Sequence, residues 1–428
     1  MSSKFIIEGG QTLRGEVQIS GSKNAALPIL ASTLLTTEPV TISNIPAIQD
    51  VKVLGEIIES LGGKVEWLSD TQVRVDNSGV DGREPDYKKI KKLRASILIL
   101  GPLLARLGRV RTSQPGGCYI GPRPIDVHLD GLKALGAIIT PDGEFYDIRA
   151  DDGLVGTKIV LNEMSVTGTS NILMAAVLAK GKTEIRLAAA EPENNNLAES
   201  LVKMGAKISG IGTHTLTIEG VDNLHSAKLE IIPDRLEAGT FAIAAALTHG
   251  EVTIKGYVRD HLDLFTNKLL ETGVRMNFIS DDTVQILKTS GLRAVDIKTQ
   301  TYPGFPTDLQ APFGTLLTQA VGTSKIYETM YDGRLNYFKE LAKMGATANI
   351  LDPHRAVVSG PTVLYGKEIE SLDIRAGATL ILAALAANGK SIIDKVELID
   401  RGYVQIEKKL QKLGAKIERV EEKESVAA

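Results

Sequence analysis

The sequence predicts an α/β fold of six βαβαββ units, each of about 70 residues, gathered three and three into two lobes. Three observations predict it. A helix-like segment ending in Leu/Met-Gly-Ala, or a close variant, leads into a short strand at Gly62, Gly136, Gly205, Gly273, Gly345 and Gly414, at intervals of 68–74 residues. An almost wholly apolar helix recurs in the same phase. The two helices of each unit also differ in kind, one apolar on every face and one charged along one side. A period this long exceeds that of ordinary solenoids and points to globular lobes.

The apolar helices, each with a turn and a following strand, span Asn24 to Ile42, Ala95 to Thr112, Thr169 to Ile185, Gly239 to Ile254, Ala311 to Ile326 and Ala376 to Ile393. Runs such as Ile97-Leu98-Ile99-Leu100 and Leu380-Ile381-Leu382 leave no polar face, so these helices belong inside. The second helices carry charge, as in Ile406-Glu407-Lys408-Lys409-Leu410, and belong at the surface, with the recurring glycine as C-terminal cap. Each unit then has about four short strands around its buried helix. Residues 1–21 and 233–428 are expected to form one lobe, closed by the N-terminal strand. Residues 22–232 are expected to form the other, carrying the segment around Cys118. Two lobes make a cleft, the usual place for a small-molecule site.

Composition narrows the function. A formal net charge of -3 gives no electrostatic footprint for nucleic acid. No apolar run is long enough to cross a bilayer, and Met1–Gly10 has no signal-peptide core, so a cytoplasmic location is expected. The single cysteine cannot form an internal disulfide and suits a reducing compartment. The six histidines show no metal-binding spacing, so no metal is expected. Gly181-Lys182-Thr183 and Gly389-Lys390-Ser391 mimic the end of a phosphate loop. The required glycine is replaced by Ala176 and Ala384, and both stretches are turns of the repeat.

Function should lie where one unit carries what its siblings lack. Cys118 sits in Pro115-Gly116-Gly117-Cys118-Tyr119-Ile120-Gly121-Pro122-Arg123-Pro124, a turn-forming stretch with a nearby cation. A thiol there is either a reactive acid or nucleophile, or a structural residue. Lys23, in Ser20-Gly21-Ser22-Lys23-Asn24, opens the first buried helix, where it is either solvated or placed to meet an anion at the helix N-terminus. Arg94, Arg123, Arg334, Arg375 and Arg401 stand near corresponding ends of their units. Taken together they imply a substrate with more than one anionic group. Asp308, in Pro306-Thr307-Asp308, is either an ordinary helix cap or a general base. Pro233-Asp234-Arg235 reads as the crossing between lobes with structural ion pairs, and His128 as structural.

These blocks together resemble the UDP-N-acetylglucosamine 1-carboxyvinyltransferase family. The resemblance covers nearly the whole chain and rests on Gly21-Ser22-Lys23-Asn24-Ala25-Ala26, Arg94-Ala95-Ser96, Pro-Gly-Gly-Cys with Arg123-Pro124, and Pro233-Asp234-Arg235. It continues through Pro306-Thr307-Asp308, Asp373 to Gly377 and Asp400-Arg401-Gly402-Tyr403. It implies the inside-out α/β barrel fold of enolpyruvyl transferases. It further implies transfer of enolpyruvate from phosphoenolpyruvate to the 3'-hydroxyl of UDP-N-acetylglucosamine, a reaction that requires no cofactor, the committed step of peptidoglycan synthesis and the target of fosfomycin. By the same resemblance Cys118 is the proton donor to C3 and Asp308 the general base. Lys23, Arg123 and Arg401 hold the phosphate with Asn24 beside them. Arg334 and Arg375 hold the carboxylate or the tetrahedral ketal. Arg94, Arg123, Pro124, Ile125, Asp126, Val127, Glu163, Met164, Ser165, Val166 and Met330 line the nucleotide-sugar site. The chain departs from the family's usual text at Thr167–Asn171, at Leu187 and Ala190, at Asn194-Asn195-Asn196 and at Pro312. Those departures motivate one alternative, a catalytically silent UDP-sugar-binding paralogue. A shikimate-pathway enolpyruvyl transferase is the other.

Overall fold

The six apolar segments fold as helices whose residues are nearly all buried. They are Lys23–Ser32, the 3-10 turn Arg94–Ile99 running into Leu100–Leu107, Val166–Ala176, Arg235–Leu247, the turn Thr307–Leu309 running into Gln310–Leu317, and Ile374–Ala386. Their polar starts explain where they begin. Asp234 accepts from Leu236 N at 2.8 Å and Glu237 N at 3.1 Å, and Asp373 accepts from Arg375 N at 2.7 Å and Ala376 N at 3.0 Å. Each carboxylate satisfies two amides that a helix start leaves without intrahelical partners. Asp234, expected at the crossing between lobes, also caps the helix that starts there.

Six second helices, Gln49–Ser60, Asp126–Ala134, Pro192–Lys203, Asp263–Glu271, Tyr337–Lys343 and Ile406–Lys412, each end two residues before the recurring glycine. All six of those glycines have φ between +93° and +107°. A β-carbon is strained in that region, which is why glycine recurs there while the flanking residues vary.

The structure, a computed structural model, describes residues 3–113, 116 and 124–421. Cys118 and Arg123 lie outside the described residues. The described chain divides into two compact units, one of residues 3–20 and 233–421, the other of residues 21–113, 116 and 124–232. In the first, Arg235–Leu247, Gln310–Leu317 and Ile374–Ala386 pack on one another; in the second, Lys23–Ser32 and Leu100–Leu107 both pack on Val166–Ala176. Three small sheets accompany the helices of each unit. Helices at the centre and sheets around them give the inside-out α/β arrangement.

Five sheets share one pattern: a parallel edge strand, then two antiparallel pairings. Lys158–Val160, Ile297–Lys298 and Glu368–Glu370 are parallel edges that directly precede the buried helix of their own repeat. The other two edges are exchanged. Arg14–Gln18 precedes helix Lys23–Ser32 but pairs with Glu251–Lys255, and Lys228–Glu230 precedes helix Arg235–Leu247 but pairs with Val40–Ser43. Ser3–Glu8 lies between Lys390–Asp394 and Lys416–Glu421, so the first strand completes the last sheet. The sixth sheet, Arg109–Ser113 with Phe145–Arg149 and Ile138–Asp142, has three strands among the described residues. It departs from the expected four because the short helix Tyr87–Ile90 occupies the corresponding stretch of chain.

One buried ion pair anchors the unit that contains the N-terminal strands. Glu237 lies inside its helix, with Oε1 accepting from Lys409 Nζ at 2.6 Å and Oε2 accepting from Ser20 N at 2.7 Å. Burial pushes its carboxyl above the ordinary value, against the pull of Lys409. Lys409→Met leaves this carboxylate buried without its cation and is expected to cost about 3 kcal/mol. A carboxyl with a raised folded-state pKa binds its proton more tightly folded than unfolded, so the group favours folding below the unfolded value and loses that contribution as pH rises through the folded one. The deficit of Lys409→Met is therefore larger at pH 8 than at pH 5, as urea midpoints at the two values will show.

Candidate active site

In the unit of residues 3–20 and 233–421, Asp308 lies in the 3-10 turn that precedes Gln310–Leu317. It is not spent as a helix cap. Its Oδ1 accepts from Arg334 Nη2, and its Oδ2 faces Arg375 Nε at 3.4 Å. Phe305, three residues earlier, fixes the turn by packing edge-on to Phe313 with ring centroids 5.3 Å apart. Arg334 is 6% exposed and Arg375 is 4% exposed. Charges so deep need partners. Arg334 also donates from Nε to Thr307 Oγ1 at 3.3 Å, and its guanidinium lies 5.3 Å from the centre of the Tyr331 ring.

Arg375 occupies the first turn of Ile374–Ala386 and lies over Tyr403, whose hydroxyl is 3.0 Å from Thr240 Oγ1. Burial works to lower its pKa, and Tyr403, then the negative charge of Asp308 and Asp234, act against it, with a net upward shift. Arg375 Nη1 is buried without a hydrogen-bond partner among the described residues. Arg401 is carried by the next loop. There the following residue must be glycine, because a β-carbon at Gly402 would stand 2.3 Å from Ile374 Cγ2 and 3.8 Å from Arg375 Nη1. Met330 is 38% exposed, and its amide is held by Glu328 Oε1 at 2.8 Å. Asp308, Arg334 and Arg375 therefore meet directly, with the Arg401 loop against Arg375.

In the other unit, Lys23 is the first residue of its helix, and its Nζ lies 3.6 Å from Asp50 Oδ2. Asn24 beside it is half-buried. Ser22, at the cap, has a buried hydroxyl without a hydrogen-bond partner among the described residues. Arg94 donates to Pro124 O at 3.2 Å. From Pro124 the chain passes through buried Ile125 into the helix that begins at the exposed Asp126. Val127 packs on Gly168, where an added β-carbon would be 2.7 Å from Val127 Cγ1. Gly168 N in turn donates to Ser165 Oγ at 3.3 Å, and Ser165 N donates to Glu163 O at 2.8 Å. Thus Pro124–Val127 and Glu163–Val166, with Met164 half-buried between, form one surface beside Arg94.

His128 is buried beneath that surface. Burial first, then the charge of Arg94, pushes its pKa down to about 3. The ring is neutral, and its two nitrogens sit 3.1 Å from Asn171 Nδ2 and 3.2 Å from Thr167 Oγ1. The amide has only hydrogens to offer, so Nδ1 accepts and Nε2 donates. Asn171 also accepts from Gly101 N at 2.6 Å and donates to Ile97 O at 3.0 Å, clamping the adjoining buried helix.

The asparagines among the departures from the family text hold structural hydrogen bonds. Asn194 donates to Ala189 O and Val166 O and accepts from Ser170 Oγ at 2.6 Å. Asn195 accepts from Gly212 N at 3.1 Å, and Asn196 joins Glu230 O to Ile232 N. Pro312 stands in the first turn of Gln310–Leu317, where a missing amide hydrogen costs least. Leu187 has φ +57° and is 40% exposed. A γ-branched aliphatic residue gains nothing there that offsets the left-handed strain. Leu187→Asn is expected to stabilise the chain by about 1 kcal/mol, measurable as a raised urea midpoint with unchanged slope.

Sequence reasoning missed Glu328, Thr307 and Asp50 as neighbours of the candidate residues. A signal existed for Glu328: Ser324, Ile326 and Glu328 alternate inward, which puts an acid at a core position.

The chain was compared with known proteins. The family model described as EPSP synthase (3-phosphoshikimate 1-carboxyvinyltransferase) matches residues 7–410. The UDP-N-acetylglucosamine 1-carboxyvinyltransferase of Solibacter usitatus (strain Ellin6076) is 46% identical over 418 residues, covering 98% of this chain and 100% of that protein. The protein of the same name from Finegoldia magna is 46% identical over 410 residues, covering 96% and 97%. Among solved structures, the enolpyruvyl transferase NikO from Streptomyces tendae matches with a TM-score of 0.89 at 26% identity, covering 98% of this chain and 99% of that one. EPSP synthase from Acinetobacter baumannii matches with a TM-score of 0.77 at 16% identity over 98% and 100% of the two chains, a likeness of fold alone.

Proposed function

The chain belongs to the UDP-N-acetylglucosamine 1-carboxyvinyltransferase family of enolpyruvyl transferases, and from that membership we infer that it is an enzyme that moves the enolpyruvyl group of phosphoenolpyruvate onto the 3'-hydroxyl of UDP-N-acetylglucosamine with release of phosphate. The reaction opens peptidoglycan synthesis, which places the enzyme in the cytoplasm as part of cell-wall growth and division. Its substrates are these two small molecules. Among the described residues no helix is long and apolar enough to cross a membrane.

The chemistry is addition followed by elimination. In this reading the sugar oxygen attacks C2 of phosphoenolpyruvate, Asp308 takes the hydroxyl proton, and Cys118 gives a proton to C3. The product is a tetrahedral ketal that still bears the phosphate. Loss of a proton from C3 then restores the double bond as the C2–O bond to phosphate breaks. Lys23, Arg123 and Arg401 hold the phosphate with Asn24, and Arg334 and Arg375 hold the carboxylate. Arg94, Pro124–Val127, Glu163–Val166 and Met330 contact the nucleotide sugar. Pre-aimed cations of this kind stabilise charge that develops in the transition state.

One observation supports this reading at Asp308, Arg334 and Arg375. Two buried arginines converge on a single carboxylate, and one of them keeps a nitrogen, Arg375 Nη1, without a hydrogen-bond partner among the described residues. A guanidinium already oriented by Asp308 and Tyr403 has an unused donor for a substrate anion. The test is phosphate release by the purified chain. Phosphoenolpyruvate with UDP-N-acetylglucosamine is expected to give one phosphate per enolpyruvyl sugar nucleotide, and phosphoenolpyruvate with shikimate 3-phosphate to give none. No phosphate with the sugar nucleotide overturns the reading. The cysteine in its glycine-rich stretch makes the enzyme a target for alkylation by the epoxide fosfomycin.

A further inference from the structure

Glu328 is 0% exposed. A carboxylate so placed is tolerated only when its oxygens are supplied with donors. Its Oε1 accepts from Thr299 Oγ1 at 3.0 Å and from Met330 N at 2.8 Å, and its Oε2 accepts from Thr307 Oγ1 at 2.9 Å. Thr307 has one hydroxyl proton, and that proton points to Glu328. The lone pairs of the same oxygen are therefore turned towards Arg334 Nε, which donates to it at 3.3 Å. Arg334 Nη2 donates in turn to Asp308 Oδ1. The order is fixed from one end: a buried anion sets the sense of the threonine hydroxyl, the hydroxyl holds the arginine, and the arginine holds Asp308. The other oxygen of Glu328 ties down the amide of Met330, so one carboxylate joins the turn bearing Asp308 to the segment running from Met330 to Arg334.

We propose that Glu328, acting through the Thr307 hydroxyl, is a positioning residue that keeps Arg334 and hence Asp308 in their reactive orientation. The inference rests on the enolpyruvyl-transfer reading of Asp308. A bare structural role would lower stability or affect both substrates' KM. A positioning role lowers kcat and depends on the polarity of the hydroxyl. Glu328→Gln keeps the shape but aims an amide donor at Thr307, reversing that polarity. Thr307→Val removes the hydroxyl and keeps the shape, whereas Thr307→Ser keeps the hydroxyl.

Phosphate release by the full-length chain and its variants tests this. Glu328→Gln and Thr307→Val are each expected to lower kcat by about 10- to 100-fold, with KM for both substrates changed by less than about threefold. Thr307→Ser is expected to stay within about threefold of wild type, and the double variant Glu328→Gln with Thr307→Val to fall no further than the worse single one, because both break the same chain. Folded variants with kcat within about threefold of wild type, equal impairment of Thr307→Ser and Thr307→Val, or losses that multiply in the double variant overturn the proposal. If Glu328→Gln does not fold, the valine and serine pair decides alone. Failure of the wild-type control to release phosphate sinks the enolpyruvyl reading itself, a result distinct from an active wild type with unaffected variants.

Discussion

Asp308→Asn is expected to lower kcat by about a thousandfold, the order of magnitude that a positioned general base contributes. The amide has nearly the shape of the carboxylate and can still accept from one arginine through its oxygen. It cannot take the proton of a sugar hydroxyl. Its NH2 group also turns a donor towards Arg334 or Arg375, both nearly buried, in place of the oxygen that now receives theirs. Two cations with less negative charge between them attract a substrate anion more strongly, so phosphoenolpyruvate affinity is expected to hold or rise while turnover collapses. Calorimetric titration with phosphoenolpyruvate, set beside steady-state phosphate release, separates the two effects. A variant with kcat within about tenfold of wild type would show that another group takes the proton.

Cys118→Ala is expected to reduce turnover near pH 7 to about 1% or less of wild type, since it removes the acid assigned to C3. A thiol with an ordinary pKa of about 8.5 is protonated at neutral pH and can still give its proton up. Cys118→Asp substitutes an acid whose ordinary pKa is about 3.9, so the proton-bearing form grows as pH falls. Its residual activity is expected to increase from pH 8 to pH 5. Alkylation of the native thiol has the opposite pH dependence, because the thiolate is the nucleophile and its fraction grows as pH rises. Rates of epoxide labelling between pH 6 and pH 9, with and without substrates, check both the trend and protection by bound substrate. Wild-type turnover in Cys118→Ala would place the acid elsewhere.

Much of this architecture was legible in the sequence because its causes are local. A left-handed residue after each surface helix selects glycine, so Gly62 and its five counterparts stand out at regular intervals. Apolar helices without a polar face announce their burial, and Gly181 and Gly389 are found at turns between a buried helix and a strand. What could not be read depends on contacts distant along the chain. Nothing near Arg14–Gln18 records that its partner is Glu251–Lys255. The three asparagines at 194–196 stood out only as a departure from the family's usual text, and their amides serve backbone groups on neighbouring segments. For Asp308, two local roles were consistent with its place before a helix, and nothing nearby in sequence records that its carboxylate meets Arg334 and Arg375.

The exchanged edge strands have a consequence for how the protein is made. A ribosome delivers the chain from its N-terminus, and domains tend to fold as units when they emerge. Residues 21–232 contain every described strand of their three sheets, ending with Lys228–Glu230, and so can complete themselves midway through translation. Ser3–Glu8 and Arg14–Gln18 emerge before that unit but must wait, the second for Glu251–Lys255 and the first for Lys390–Asp394 and Lys416–Glu421. Strands that precede the rest of their unit by more than two hundred residues thus form the latch that closes last.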